Sequence, residues 1–116
     1  MKVTCLQENL AKGLGIVGRA VATRSTYPVL ANVLLATENG RLKLSATNFE
    51  VAITCWLGAN VETDGAITVP ARTLTDLVNN LPPDQVTLMV DEQTQTMNIA
   101  CRRVEANVKG IDYNEF

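Results

Sequence analysis

Histidine is absent from all 116 residues of this chain. With it go the commonest general base and the commonest metal ligand. Aromatic residues make up only 4% against a hydrophobic fraction of 47%, so the core has to be aliphatic. Cysteine is sparse: Cys5, Cys55 and Cys101 are odd in number, far apart and at no zinc-ligand spacing. They read as buried free thiols in a reducing compartment. No apolar run approaches the ~20 residues of a membrane span, and the N-terminus lacks the apolar segment of a secretory leader. The expectation is a soluble, cytoplasmic protein without membrane contact. Neither sign of charge dominates, since 10 basic residues face 12 acidic ones for a net −2. Overall charge therefore points to no polyanion partner, although a local patch still could.

What the chain does contain is one pattern stated twice. The length suits a single domain, and a repeat fixes architecture before any local motif does. A short strand at 2–6 precedes a helix at 7–22, where Leu10, Leu14, Val17 and Val21 form one stripe at helical period. Strands follow at 29–37, interrupted by Asn32, at 41–46 with Leu42, Leu44 and Ala46 inward, and at 51–57 with Val51, Ile53, Cys55 and Leu57 on one face. Asn39-Gly40 supplies a tight hairpin turn. The same order returns with a strand at 66–69 and a helix opening at Pro70. That helix carries Leu74, Leu77, Val78 and Leu81 and stops at Pro82-Pro83; strands at 85–90, 96–101 and 103–109 complete the unit. The stretch 58–64 reads as a linker between repeats at about 1–58 and 65–110. Two helices and about eight strands in antiparallel runs predict an α+β fold, with both helices packed on one face of the sheets.

Charge is divided between those layers. Lys12 and Arg19 lie opposite the first helical stripe, and Arg72, Asp76 and Asn79 opposite the second. Residues 7–24 and 71–81 hold four basic residues (Lys12, Arg19, Arg24, Arg72) and two acidic ones (Glu8, Asp76), a net +2; the remaining six basic and ten acidic residues give −4. A basic helix layer would bind phosphates without sequence preference. The plainer alternative is a solvated helix face on which Arg72 pairs with Asp76 at i, i+4.

One motif misleads. Gly13, Gly15 and Gly18 spell G-x-G-x-x-G, with Glu38 downstream as an acidic residue. A dinucleotide site needs those glycines directly after a strand, opening a helix. Here the helical stripe has already begun at Leu10, and the rest of the chain is hairpins. The acidic residues are dispersed and Ser25 has no base nearby, so no catalytic group and no cofactor site is proposed by the sequence. Two rivals nonetheless stand beside non-specific phosphate binding: a dinucleotide-binding enzyme fragment using the glycine run, and a plain protein-interaction domain.

Four segments resemble a known family. The stretch Arg24-Ser25-Thr26-Tyr27-Pro28-Val29-Leu30-Ala31-Asn32-Val33-Leu34-Leu35 is similar to the N-terminal domain of bacterial replicative sliding clamps, the beta subunits of DNA polymerase III. Thr47-Asn48-Phe49-Glu50 resembles that family's Thr-Asp-Leu-Glu turn, with Asn48 in place of aspartate. Val69-Pro70-Ala71-Arg72 resembles its helix start, and Glu115-Phe116 the close of its first domain. The resemblance implies a non-catalytic processivity factor without a cofactor. Three such domains per chain, two chains head to tail, would close a homodimeric ring around double-stranded DNA. The ring would tether the replicative polymerase and be opened by a clamp loader, and this chain would be the first of the three domains. Carried over by position, Arg24, Arg72, Lys12 and Arg19 would face DNA, and Arg103, Val104, Ala106 and Thr73 would form the dimer contact. On its own the domain would be monomeric.

Overall fold

A computed structural model describes residues 1–21, 28–48 and 50–115, with the side chains of 28, 29 and 115 excepted. The first strand, β1 (Lys2–Leu6), runs directly into helix α1 (Gln7–Val17). No side chain caps α1. Its first N–H instead donates to the Asp84 carbonyl at 2.9 Å, and the Gln7 side-chain amide donates to the Val78 carbonyl at 2.8 Å. The start of one helix is thus fastened to the end of the other. Leu10, Leu14 and Val17 are buried as the stripe predicts, and Val21 is partly so. The helix is shorter than its periodicity suggests. Past Val17 the chain tightens into a 3-10 turn over Gly18–Ala20.

A 3-10 turn at Pro28–Ala31 delays the next strand, so β2 (Asn32–Glu38) starts three residues later than the apolar run. It is followed by β3 (Arg41–Thr47), β4 (Ala52–Gly58) and then β5 (Asn60–Thr63). The 58–64 stretch is therefore no linker: β5 pairs antiparallel with β1. Val51 falls outside β4 and is exposed, while Ile53, Cys55 and Leu57 do face inward. Cys55 is only half-buried. Cys5 and Cys101 are buried, and burial pushes the Cys5 thiol up to about 12.

The second unit runs through β6 (Ala66–Pro70), α2 (Ala71–Asn79), β7 (Gln85–Asp91), β8 (Thr96–Cys101) and β9 (Val104–Lys109). Strand order is β5-β1-β7-β8-β9 in one sheet and β4-β3-β2-β6 in the other. The pairing is reciprocal: β1 joins the meander that follows α2, and β6 joins the meander that follows α1. Neither half could complete a sheet without the other's first strand. The inward faces of both sheets and the stripes of both helices enclose one continuous core that includes Val3, Leu10, Leu14, Leu35, Leu44, Leu74, Leu88 and Ile99.

The three glycines of the misleading motif separate by role. A Cβ on Gly13 would stand 2.8 Å from Leu44 Cδ1 and 3.2 Å from Leu57 Cδ2, so α1 lies close on β3 and β4 and a methyl there would have to displace the end of a buried leucine. Gly15 and Gly18 meet nothing within 4 Å, and Gly18 has ordinary right-handed helical dihedrals. Gly15→Ala is therefore expected to stabilise the domain by about 0.4–1 kcal/mol, through a less free unfolded chain. Chemical denaturation of this variant beside Gly13→Ala checks the point, since the latter is expected to move stability the opposite way.

Candidate nucleic-acid interface

The helix layer carries its cations outward. Lys12 projects from α1 and Arg19 from the 3-10 turn that prolongs it; Arg72 projects from the first turn of α2; all three are exposed. A shallow cleft of about 510 Å³ runs between the two helices. Arg72, Thr75 and Asp76 form one wall and Gly15 and Gly18 the other. Leu14 and Val21 complete that second wall. Lys12 lines a different groove, with Asn9, Ile16 and Trp56, between α1 and β4. Arg72 and Lys12 are thus brought to one layer but into separate grooves. Arg24 lies outside the described residues. Sequence reasoning missed Thr75 in the cleft wall, although its i, i+3 spacing from Arg72 places both on neighbouring positions of one helix face.

Ion pairs are found in the sheet layer, though not at every cation there: among the described residues Arg41, Arg103 and Lys109 make none, like Lys12, Arg19 and Arg72. Among the described residues, Lys2 pairs with Glu62 at 3.3 Å, Lys43 with Glu38 at 2.9 Å and Arg102 with Asp84 at 2.7 Å. All six of these groups belong to the sheets and their loops. None of Lys12, Arg19 and Arg72 makes such a pair among the described residues, and Arg72 does not pair with Asp76. The Asp76 carbonyl instead accepts a hydrogen bond from the Asn80 side chain at 2.7 Å. Arg41, also in the sheet layer, stacks over Trp56 with its guanidinium carbon 5.8 Å from the ring centroid.

The sheet-layer pairs also set an acid dependence. The Arg102 side chain hydrogen-bonds to Asp84 and holds its carboxyl below the usual range, helped by the Gln85 N–H. Lys43 does the same for Glu38. A carboxyl lowered in the folded state adds stability at pH values above its unfolded value, and that stability is lost as pH falls through the folded value. Arg102→Ala is expected to lower the melting temperature slightly at neutral pH and not at all below the titration of Asp84. Melting curves across the acid range read this directly. The groups are exposed, so the effect is small.

The residues of the expected dimer contact are found at two places. Val104 and Ala106 lie on β9, the edge strand of its sheet, with Val104 exposed, and Arg103 sits in the turn just before them. Thr73 is exposed in the first turn of α2. Among the described residues there is no group of histidine, cysteine and acidic side chains that could hold a metal ion, and no helix long and apolar enough to cross a membrane. The glycine run offers no cradle for a pyrophosphate. Gly13 and Gly15 are inside α1 rather than at its start, and Gly13 is buried beneath Leu44 and Leu57.

Known proteins share this arrangement. The sequence profile of the DNA polymerase III beta subunit, N-terminal domain, matches residues 1–116. The beta sliding clamp of Synechococcus elongatus is 41% identical over 119 residues, covering 100% of this chain and 31% of the relative. That of Pseudomonas aeruginosa is 36% identical over 120 residues, covering 100% and 32%. Among solved structures, a putative DNA polymerase III beta subunit from Eubacterium rectale superposes with a TM-score of 0.96 at 31% identity, over 100% of this chain and 32% of that one. The DNA polymerase sliding clamp from Caulobacter crescentus gives 0.93 at 34% identity, with the same coverage. The chain spans about a third of the length of these relatives. On its complete profile match, its identity to the sliding clamps and its superposition on their structures, the chain belongs to the family of DNA polymerase III beta subunit N-terminal domains.

Proposed function

We propose that this chain is the first of three domains of a ring-shaped sliding clamp, a non-catalytic processivity factor that encircles duplex DNA in the bacterial cytoplasm and tethers the replicative polymerase. Its two repeats, at about 1–58 and 65–110, each contribute one helix to the inner wall and a meander to the outer wall. The observation that carries the reading is a helix layer whose three described cations, Lys12, Arg19 and Arg72, are all exposed and none ion-paired among the described residues. Free cations on one face attract phosphates, and phosphate contacts carry no sequence code. A sliding ring needs that combination, since base readout would arrest it. Arg24 belongs to the same set by its position in the sequence. The free edge of β9, with Arg103, Val104 and Ala106, and Thr73 on α2, would meet the third domain of a partner subunit head to tail; the polymerase and the clamp loader would act on the complete ring.

The test is a fluorescence titration of a labelled duplex with this domain over a range of salt concentrations. Binding is expected to be weak and indifferent to sequence, with a log–log salt slope of about 0.9 per phosphate neutralised. Arg72→Ala should lower that slope by about one and leave the melting temperature unchanged. Salt-independent or sequence-selective binding would refute the proposal. So would an Arg72→Ala variant that binds as before but melts earlier, because Arg72 would then be structural.

A further inference from the structure

The Asn39-Gly40 turn has a chemistry that the clamp reading does not use. It joins β2 to β3, and the ladder closes at the pair Glu38 and Arg41, leaving a two-residue loop. Both loop residues take positive φ, 51° at Asn39 and 75° at Gly40, as the favoured twist of such hairpins requires. Both are exposed. Apart from its chain neighbours, no described residue comes within 4 Å of the position a Gly40 Cβ would take. The Gly40 N–H is outside the ladder, and no backbone carbonyl among the described residues accepts it. Among the described residues, no hydrogen bond holds the Asn39 side-chain amide.

Five other asparagines have side chains held by hydrogen bonds. Asn32 is buried and bonded to Thr68 Oγ1, Asn80 donates to the Asp76 carbonyl, and Asn98 and Asn107 bond to each other. Each of those four is followed by a residue with a bulky side chain, Val33, Leu81, Ile99 or Val108. Asn48 accepts the N–H groups of Glu50 and Val51. Among all the asparagines of the chain, only Asn39 precedes a glycine.

We propose that Asn39 is a site of spontaneous deamidation in the folded protein, converting the β2–β3 hairpin into two charged forms as the molecule ages. Hydroxide removes the proton from the Gly40 nitrogen, which attacks Asn39 Cγ. A new C–N bond closes a five-membered succinimide, the bond from Cγ to the amide nitrogen breaks, and ammonia leaves. Water then opens either carbonyl of the ring. Opening at the main-chain carbonyl gives an isoaspartyl residue whose backbone runs through Cβ; opening at Cγ gives aspartate. No oxidant or cofactor is involved.

The two products differ in consequence. Aspartate tolerates positive φ, so it keeps the turn and adds a negative charge next to Glu38. The isoaspartyl form inserts one methylene into a loop that has room for two residues only, so Glu38 and Arg41 cannot both stay in register. Register loss separates the Lys43–Glu38 pair and moves Arg41 off Trp56. Trp56 is the sole tryptophan of the chain and is itself half-exposed, so its emission reports the state of the hairpin.

The protein is incubated under native conditions at mildly acid and mildly alkaline pH, then resolved by charge and mapped by peptide mass and isoaspartate labelling. An acidic species is expected to accumulate several-fold faster in alkali, with isoaspartate confined to the peptide holding Asn39, and with a shift in Trp56 emission that tracks the isoaspartyl fraction. Asn39→Gly, which accepts the same φ and lacks the amide, should fold normally and form neither. The proposal is overturned if native protein gains isoaspartate first at another asparagine. It is equally overturned if Asn39 reacts only in denaturant, or if Asn39→Gly ages like the parent.

Discussion

Leu44→Ala is expected to destabilise the domain by about 2–5 kcal/mol, and adding Gly13→Ala is expected to return part of that loss. Leu44 is fully buried at the centre of β3, paired with Leu35 on one side and Cys55 on the other. Truncating a leucine so placed removes its transfer free energy and leaves a cavity, which together give losses in that range. The hole opens directly under α1, because Leu44 Cδ1 stands 2.8 Å from where a Gly13 Cβ would be. In the parent, a methyl at position 13 overpacks the helix–sheet contact, and Gly13→Ala should cost about 1–3 kcal/mol. In Leu44→Ala the same methyl enters vacated space. The double variant should therefore be more stable than the sum of the single losses requires, with a coupling of about 0.5–3 kcal/mol. Urea denaturation of the four proteins measures it. Strict additivity would mean that α1 does not rest on Leu44 as described.

Gly110→Ala is expected to loosen the end of the chain from both sheets. After β9 the backbone leaves one sheet and crosses to the free edge of the other. Gly110 N–H donates to the Gln95 carbonyl at 2.7 Å, and Ile111 exchanges two hydrogen bonds with Thr68 of β6. Thr68 is fully buried; its hydroxyl donates to the Ile111 carbonyl and accepts from the Asn32 amide. A Cβ on Gly110 would lie 2.4 Å from the Thr68 carbonyl oxygen and 2.8 Å from two carbons of Ile67. The nearest of these atoms is backbone, which cannot rotate away, so the segment itself must move and the Thr68–Ile111 bridge must break. The loss should be at the upper end of the 1–3 kcal/mol typical of overpacking, a fall in melting temperature of roughly 5–15 °C for a domain of this size. Thr68→Val, which removes only the hydroxyl, should fall by less. Hydrogen exchange at the Ile111 amide separates the two, since it should become fast in Gly110→Ala even well below the melting temperature. An Ile111 amide that stays protected would show that the close approach is relieved elsewhere.

Alternation and period were enough to read the inward residues. Leu42, Leu44 and Ala46, Val86 and Leu88, and most of both helical stripes are buried where the pattern puts them, with Val21 and Leu77 partly so, because a strand or helix with one apolar face can hide it in only one way. The near balance of charge and the concentration of basic residues in the helical segments were equally legible, since they are properties of composition and position. What sequence alone could not decide depended on partners distant in the chain. The 58–64 stretch looks like a linker and becomes β5 because β1 offers it an edge. The Arg102–Arg103 turn contains neither glycine nor asparagine; Arg102 takes a φ of 52° while its side chain is held by Asp84, just before β7. Asn32 looks like a break in an apolar strand and is the buried link to Thr68. Of three similar glycines, only Gly13 is closely packed, because only there does another element come within reach. Local pattern determined which face of each element is apolar. The reciprocal exchange of first strands between the two halves decided which elements meet, because each meander offers its open edge to a strand from the other half.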